Sequence, residues 1–444
     1  MLNMSDRLDL LLLGATGFTG KRCVPYINKF CQSDGYNLTW GVAGRSRSKL
    51  EQVLRNVGNE IGTDLQKIPI FVVDVNDQKS LDKIAREAKV VINCCGPFRF
   101  LGEPVVKACI AAGTDHVDIS AEPQFMEKLE LELNDAAREK GVYAVTACGF
   151  DCVPSDLGVV FLQKQFKGTL NSIQTYLQTW TEEDGHNKSM IGYNSSSIIN
   201  VGTWESLVHA VANWKEIVQN HKKLFPESMS KYQPEVKQKY VPHRSKVVEG
   251  WCVPLPTADA SSIKRTQKYL FEVERKRPTQ INTYYVVKSF TEVFVIILFA
   301  LMFYPLTRFK WGRSLLLRYP GIFSLGMFRK EPPTETTIRN TCYQVLLYGE
   351  GWDDRVGPGD YQYHKPCDKC ILGRVSGRNG YEVICIGVIL SAITIITEKE
   401  KLPKGGGVFS AGACFAKTTL IDQLVKQRVE FEVIYQKKIV ESPE

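Results

Sequence analysis

Leu8-Asp9-Leu10-Leu11-Leu12-Leu13-Gly14-Ala15-Thr16-Gly17-Phe18-Thr19-Gly20 is the stretch on which the reading of this chain turns. Its first six residues form a short apolar run closed by glycine, the pattern of a strand buried on both faces of a parallel sheet. The three glycines stand three residues apart, and each has a physical purpose. Gly14 permits the tight turn out of the strand, Gly17 lets a pyrophosphate approach the backbone, and Gly20 allows the next helix to pack closely on the sheet. Thr16, Phe18 and Thr19 complete the turn, where helix N–H groups and the positive dipole end meet the phosphates. Strand, glycine turn and helix in this order predict a dinucleotide-binding fold. The plainer alternative is a Gly-rich turn in an unrelated α/β protein. Pro25 falls inside the expected first helix and should shorten or kink it.

A second strand is read at 38–43, followed by Gly44-Arg45-Ser46-Arg47. A site for NAD usually places Asp or Glu here to accept the ribose 2′-hydroxyl, and neither is present. Arg45, with Ser46 and Arg47 beside it, suits a 2′-phosphate, so NADP is expected rather than NAD. The alternative is that both arginines are solvated loop residues. Further strands are read at 68–73, 90–93, 116–119 and 142–146, with helices at 80–88, 103–112 and 123–140 between them. This alternation predicts a doubly wound parallel sheet with its ligands at the carboxyl ends of the strands. Asp74 and the turn from Asn93 through Gly96 and Pro97 are then the places for adenine and nicotinamide-ribose contacts.

The chain has 444 residues, enough for two or three domains, and 44% of them are hydrophobic, which excludes a disordered or collagenous protein. A net charge of +8 without a basic block predicts no nucleic-acid partner. Thirteen cysteines without a framework suit reduced thiols. The first nine residues lack a basic n-region, so no secretory leader is expected.

Beyond the opening turn, Ala43-Gly44-Arg45-Ser46, Asn93-Cys94-Cys95-Gly96-Pro97-Phe98, Gly102-Glu103-Pro104-Val105-Val106, Gly149-Phe150-Asp151-Cys152-Val153-Pro154-Ser155-Asp156 and Gly406-Gly407-Val408-Phe409 follow in order. Together these motifs resemble the saccharopine dehydrogenase-like oxidoreductases of animals, along the whole chain. The resemblance implies an N-terminal Rossmann domain, a second α/β domain, and a C-terminal segment returning to the first. It extends in fold and cofactor half to saccharopine reductases, and to bacterial trans-acting enoyl reductases that act on lipid intermediates.

Hydride transfer needs a positioned cofactor and a proton donor or polarising group. Tyr-x-x-x-Lys spacing occurs at Tyr284–Lys288 and at Tyr361–Lys365, but neither follows the Rossmann strands on a helix, and both are read as coincidence. Asp151, just past the 142–146 strand, is the candidate catalytic residue; a turn-and-cap network around Ser155 and Asp156 is the competing reading. His364, Cys367 and Cys370 form an incomplete ligand set, and no metal is expected.

Residues 293–307 form a fifteen-residue stretch without a charge, about 22 Å long as a helix and short of the roughly 30 Å bilayer core. Arg308, Lys310, Arg313 and Arg318 follow, and a second apolar patch at 320–328 ends at Arg329-Lys330. Ten of the 41 residues from 290 to 330 are aromatic, against 10% for the chain. An apolar helix with basic residues and interfacial aromatics suits a monotopic lipid anchor. A buried core helix and a homodimer interface are the alternatives for the same segment.

The expected domains are therefore 1–155 (Rossmann), 156–400 (substrate domain carrying the 290–330 segment) and 401–444 (return), with a loop at 405–413 and a helix at 417–427. The expected function is NADP-dependent oxidoreduction of a lipid-like substrate at the cytoplasmic face of a membrane or lipid droplet, with mitochondrial association a further assignment. The alternatives are a lipid-associated nucleotide-binding protein without turnover and a saccharopine reductase of lysine metabolism.

Overall fold

In the computed structural model, which describes residues 7–32, 36–150, 152–183, 186–189, 199–225, 227–230, 232–254 and 258–439, the opening run forms β1 (Leu8–Leu13). Leu10 to Leu13 are fully buried, as a central parallel strand requires. Then follow α1 (Phe18–Gln32), β2 (Trp40–Gly44), α2 (Arg47–Ile61), β3 (Ile70–Val72), α3 (Gln78–Ala85), β4 (Ala88–Asn93), α4 (Phe98–Ala112), β5 (Asp115–Asp118), α5 (Pro123–Glu139) and β6 (Tyr143–Val145). α1 is not shortened at Pro25. It runs on for fifteen residues because Cys23, Val24, Ile27 and Phe30 hold its buried face in the core. The proline gives up one backbone hydrogen bond there. α4 begins five residues earlier than expected. The Glu122 carboxylate, distant in sequence, accepts the N–H groups of Phe98 and Arg99 at 3.0 and 2.8 Å and caps the helix.

The chain continues through α6 (Val153–Gln165), β7 (Thr169–Glu183), β8 (His186–Ser189), β9 (Ile199–Asn200), α7 (Val201–Ala212), α8 (Trp214–Leu224), β10 (Trp251–Pro254), α9 (Ala258–Glu272) and β11 (Gln280–Val287). α10 (Phe290–Arg308), α11 (Lys310–Arg318), α12 (Pro320–Phe323), β12 (Phe328–Arg329), α13 (Glu335–Asn340), β13 (Thr341–Trp352) and β14 (Lys369–Arg378) come next. α14 (Gly380–Thr397), β15 (Gly407–Phe409), α15 (Ala411–Phe415), α16 (Leu420–Lys426) and β16 (Glu430–Lys438) end the order.

These elements build two units. The first comprises Met1–Phe150 and Tyr381–Gln427, the second Asp151–Gly380 and Arg428–Glu444. The first holds a seven-stranded sheet in the order β15-β6-β5-β4-β1-β2-β3, every pair parallel. Its strand order reverses between β1 and β4, which makes a Rossmann-type switch point there. The second holds a mixed sheet, β10-β11-β7-β13-β14-β16, with β8 paired to β7. α6 lies on this sheet; a Cβ at Gly158 would sit 2.9 Å from Val375 and 3.2 Å from Leu347.

Three expectations need correction. The return to the first unit starts at Tyr381, not 401, because the apolar residues of α14 are buried there from Val383 to Ile395. Its end, β16, pairs with β14 of the second unit instead. The expected loop at 405–413 contains β15, seated beside β6 with Val408 opposite Ala144. The helix that carries the charge-free stretch 293–307 is also longer than that stretch: Ser289 and Glu292 form a capping box, and α10 runs nineteen residues, about 28 Å.

Among the described residues two helices, α10 and α14, are long and apolar enough to cross a membrane by length and composition. They differ in burial. α14 is mostly interior, whereas α10 is buried along one stripe only. In that stripe (Val293, Phe303, Thr307), Phe303 packs into a cluster with Trp204, Val208, Leu316 and Phe328, while Val293 packs with Val253 and Val287; Trp204 Nε1 donates to the Leu316 carbonyl at 3.0 Å. The opposite stripe is apolar and open: Phe294 is 59% exposed, Leu298 58% and Leu301 68%.

Candidate dinucleotide site

The turn after β1 is built as its glycines dictate. Gly14 sits at φ +85°, a left-handed conformation that favours glycine, and its N–H donates to the Ala43 carbonyl at 2.9 Å. A Cβ there would lie 2.8 Å from Cys95 Sγ and 3.1 Å from the Cys94 carbonyl carbon. A Cβ at Gly20 would collide with the Gly14 carbonyl, so the third glycine lets α1 start directly on the turn. Gly17 differs. Its missing Cβ would meet one atom, the Gly14 oxygen at 3.2 Å, and is otherwise open. The absent side chain leaves space at the helix start, where an anion can approach unpaired N–H groups.

A cleft of about 230 Å³ opens at this switch point. Among the expected residues Gly14, Thr16, Gly17, Arg45 and Gly96 line it; Asn76, Cys94 and Cys95 join them. Arg45 is exposed at the carboxyl end of β2, close enough to Cys95 to act on its thiol. Burial pushes that thiol up to about 12, with Cys94 adding to the rise and the Arg45 charge opposing it.

The other expected residues lie around the wall and support it. Ser46 caps α2, accepting the Lys49 N–H at 3.4 Å. Asp74 accepts the backbone and side-chain N–H groups of Asn76, both at 3.0 Å, so Asn76 and not Asp74 reaches the cleft. Asn93 is fully buried; its Oδ1 accepts the Cys95 N–H at 2.9 Å and fixes the β4 turn. Its Nδ2 is buried without a hydrogen-bond partner among the described residues. Pro97 is the residue before α4. The Phe18 ring meets Tyr381 edge-on at 5.0 Å and lies 3.9 Å from the Arg22 guanidinium, which makes it packing for α14. The Thr19 carbonyl accepts from the Cys385 thiol at 4.0 Å.

Asp151 lies outside the described residues. Beyond it, Ser155 and Asp156 fall inside α6 instead of capping it. Ser155 donates to Asp259 at 3.0 Å, and Asp156 accepts from Ser262 at 3.0 Å and Thr266 at 2.7 Å, tying α6 to α9. The Tyr-x-x-x-Lys pairs serve packing. The Tyr284 ring lies on that of Tyr176, centroids 5.7 Å apart, and Lys365 pairs with Asp354 and Asp368 at 2.9 and 3.1 Å.

A doubly wound parallel sheet with a glycine turn at its switch point and an arginine after the second strand defines a dinucleotide-binding domain of the oxidoreductase class. The family model of the saccharopine dehydrogenase NADP binding domain matches residues 10–145, so the dinucleotide is NADP. The chain is 35% identical over 432 residues to the human (Homo sapiens) saccharopine dehydrogenase-like oxidoreductase, covering 96% of this chain and 97% of the relative. It is 33% identical over 433 residues to the Caenorhabditis elegans protein named lipid droplet localized protein, covering 96% and 98%. It therefore belongs to the saccharopine dehydrogenase-like oxidoreductase family. In fold it is similar to apo saccharopine dehydrogenase (L-Glu forming) from Saccharomyces cerevisiae, with a TM-score of 0.52 at 15% identity over 98% of this chain and all of that one.

The residues present fit the dinucleotide. Gly17 leaves the approach a phosphate needs, Arg45 lines the cleft just past the second strand, where a 2′-phosphate would be met, and Asn93, at the end of β4, keeps a buried amide donor without a hydrogen-bond partner among the described residues.

Proposed function

We propose that this chain is an NADP-dependent oxidoreductase working on a lipid-like substrate at a lipid surface, a droplet monolayer or the cytosolic face of the endoplasmic reticulum. One observation carries the reading: α10 presents Phe294, Leu298 and Leu301 to solvent on a helix whose other stripe is anchored in the second unit. Soluble chains seldom leave so continuous an apolar stripe uncovered. The name of the nematode relative supports the same assignment.

When bound, the nicotinamide supplies or accepts the hydride. In this reading Gly17 and the first N–H groups of α1 hold the pyrophosphate, and Arg45 holds the 2′-phosphate. Asn76, steadied by Asp74, borders the adenine side, and Asn93 with Gly96 and Pro97 shapes the nicotinamide end. Asp151 is the acid–base candidate. A dinucleotide-binding protein without turnover is the second reading; in its favour, the ionisable groups of the described cleft wall are Arg45, Cys94 and Cys95. An NADPH-consumption screen against lipid carbonyls and enoyl compounds separates the two.

Burying Phe294, Leu298 and Leu301 in acyl chains contributes about 1.5–3 kcal/mol each before ordering costs. Replacing all three with Ser should abolish flotation of the protein with droplets on a density gradient while its melting curve stays cooperative. Equal flotation of wild type and a folded variant would remove the lipid surface from the account. Recovery of wild type with mitochondria and not droplets would move it to another membrane.

A further inference from the structure

In the second unit, the turn from α11 through α12 to β12 encloses an open depression of about 580 Å³. Arg318, Arg329 and Lys330 line it together with Tyr319, Ile322 and Glu331, three cations against one carboxylate. Of its lining residues Ile322 is 69% exposed and Tyr319 is exposed, and Leu325, three residues after Ile322 in the same turn, is exposed as well. Further back along the chain Phe309 and Trp311, both exposed, stack on each other with centroids 5.9 Å apart. The elements that bound the depression pack with α10, because Leu316 of α11 and Phe328 of β12 share the Trp204 cluster with Phe303.

We propose that this depression receives the headgroup phosphate of an anionic phospholipid. The inference rests on the lipid-surface reading and specifies which surface is chosen. Charge complementarity names the occupant: a cationic hollow with exposed apolar side chains in the same turn matches an anion attached to acyl chains. Arg318 and Arg329 supply planar donor forks suited to phosphate oxygens, and Lys330 adds a point charge. Ile322 and Leu325 enter the acyl boundary beside them, and Tyr319 sits at headgroup level, where amphipathic rings concentrate.

The test is flotation of the purified full chain with vesicles of phosphatidylcholine alone or of phosphatidylcholine containing phosphatidic acid. The proteins are wild type, Arg318→Gln/Arg329→Gln/Lys330→Gln, and Phe294→Ser/Leu298→Ser/Leu301→Ser. Each basic residue at an anionic surface contributes on the order of 5-fold in partitioning. Wild type should therefore prefer the anionic vesicles strongly, and raised salt should weaken that preference. The charge variant should lose most of the preference while keeping its binding to neutral vesicles; the apolar variant should lose both. Equal binding of wild type to both vesicles, or an undiminished preference in the charge variant, overturns the headgroup site and leaves the lipid-surface reading standing. Failure of wild type to float with either vesicle overturns both. Inorganic phosphate is the last arm: if it raises the melting temperature of wild type but not of the charge variant, and abolishes the vesicle preference, the hollow holds a free anion instead.

Discussion

Arg45 is the residue to which we assign cofactor choice, because it follows the end of β2 at Gly44 and no acid stands where NAD would need one. Replacing it with Ala removes a charge-assisted contact worth about 1.5–3 kcal/mol. Fluorescence titration should show NADPH affinity falling roughly 10- to 100-fold while NADH affinity hardly moves; equal losses would separate Arg45 from the 2′-phosphate. Asn76 was not legible. Its place in the cleft depends on two hydrogen bonds it donates to Asp74, and the acid after the strand is the more conspicuous letter. A third residue sets a pH dependence. Burial pushes the Asp115 carboxyl up to about 6, against the Tyr143 N–H it accepts and the charges of Lys399 and Arg7. The unfolded carboxyl titrates near about 4, so between there and 6 the folded chain holds more protons than the unfolded one. Its contribution is fully present below the unfolded value and is lost as pH rises through the folded one. Asp115→Asn should raise the urea midpoint relative to wild type at about pH 7, and the gain should shrink toward about pH 4. A constant difference across that range would mean that Asp115 does not titrate there.

Among the elements, those with strong local signals were read correctly in kind. β1 is one, and the helix over Pro123–Glu139 is another, because a single apolar period and an N-terminal proline mark it. β15 was hidden for the opposite reason. It is three residues long, follows Gly405 and Gly406 and opens on Gly407, all three at positive φ, so local chemistry spells a loop and the β6 edge makes it a strand. α10 and α14 show where composition stops. Both reach a mean hydropathy of 2.0, yet α14 is core and α10 is half uncovered, and tertiary packing alone separates them. The capping box that starts α10 also went unread. Trp204 is one of the supports of α10, its ring 5.2 Å from that of Phe303 and 5.3 Å from that of Phe328 in β12. Trp204→Ala should cost about 3–5 kcal/mol in denaturant unfolding. It should also make α10 sensitive to limited proteolysis while NADPH binding by the first unit persists; unchanged cleavage would show that α10 is held elsewhere.

At the scale of the whole molecule, the chain leaves the first unit after Phe150 and re-enters it at Tyr381. The Rossmann unit was legible from the order of strands and turns, and a second domain from the length of the chain and the family resemblance. The re-entry point was not, because it is fixed by the burial of α14, a property of the folded first unit that no local pattern announces. The account makes two claims of one chain: NADP at the switch point of the first unit and a lipid surface on α10 of the second. Hydrogen–deuterium exchange on the full chain, with and without NADPH and with and without phospholipid vesicles, tests both at once. NADPH should slow exchange in peptides covering Gly14 to Gly20, Arg45 and Asn93 to Pro97, and vesicles should slow it across 290–325. Protection by NADPH elsewhere, or vesicles that leave 290–325 exchanging as in solution, would contradict the account.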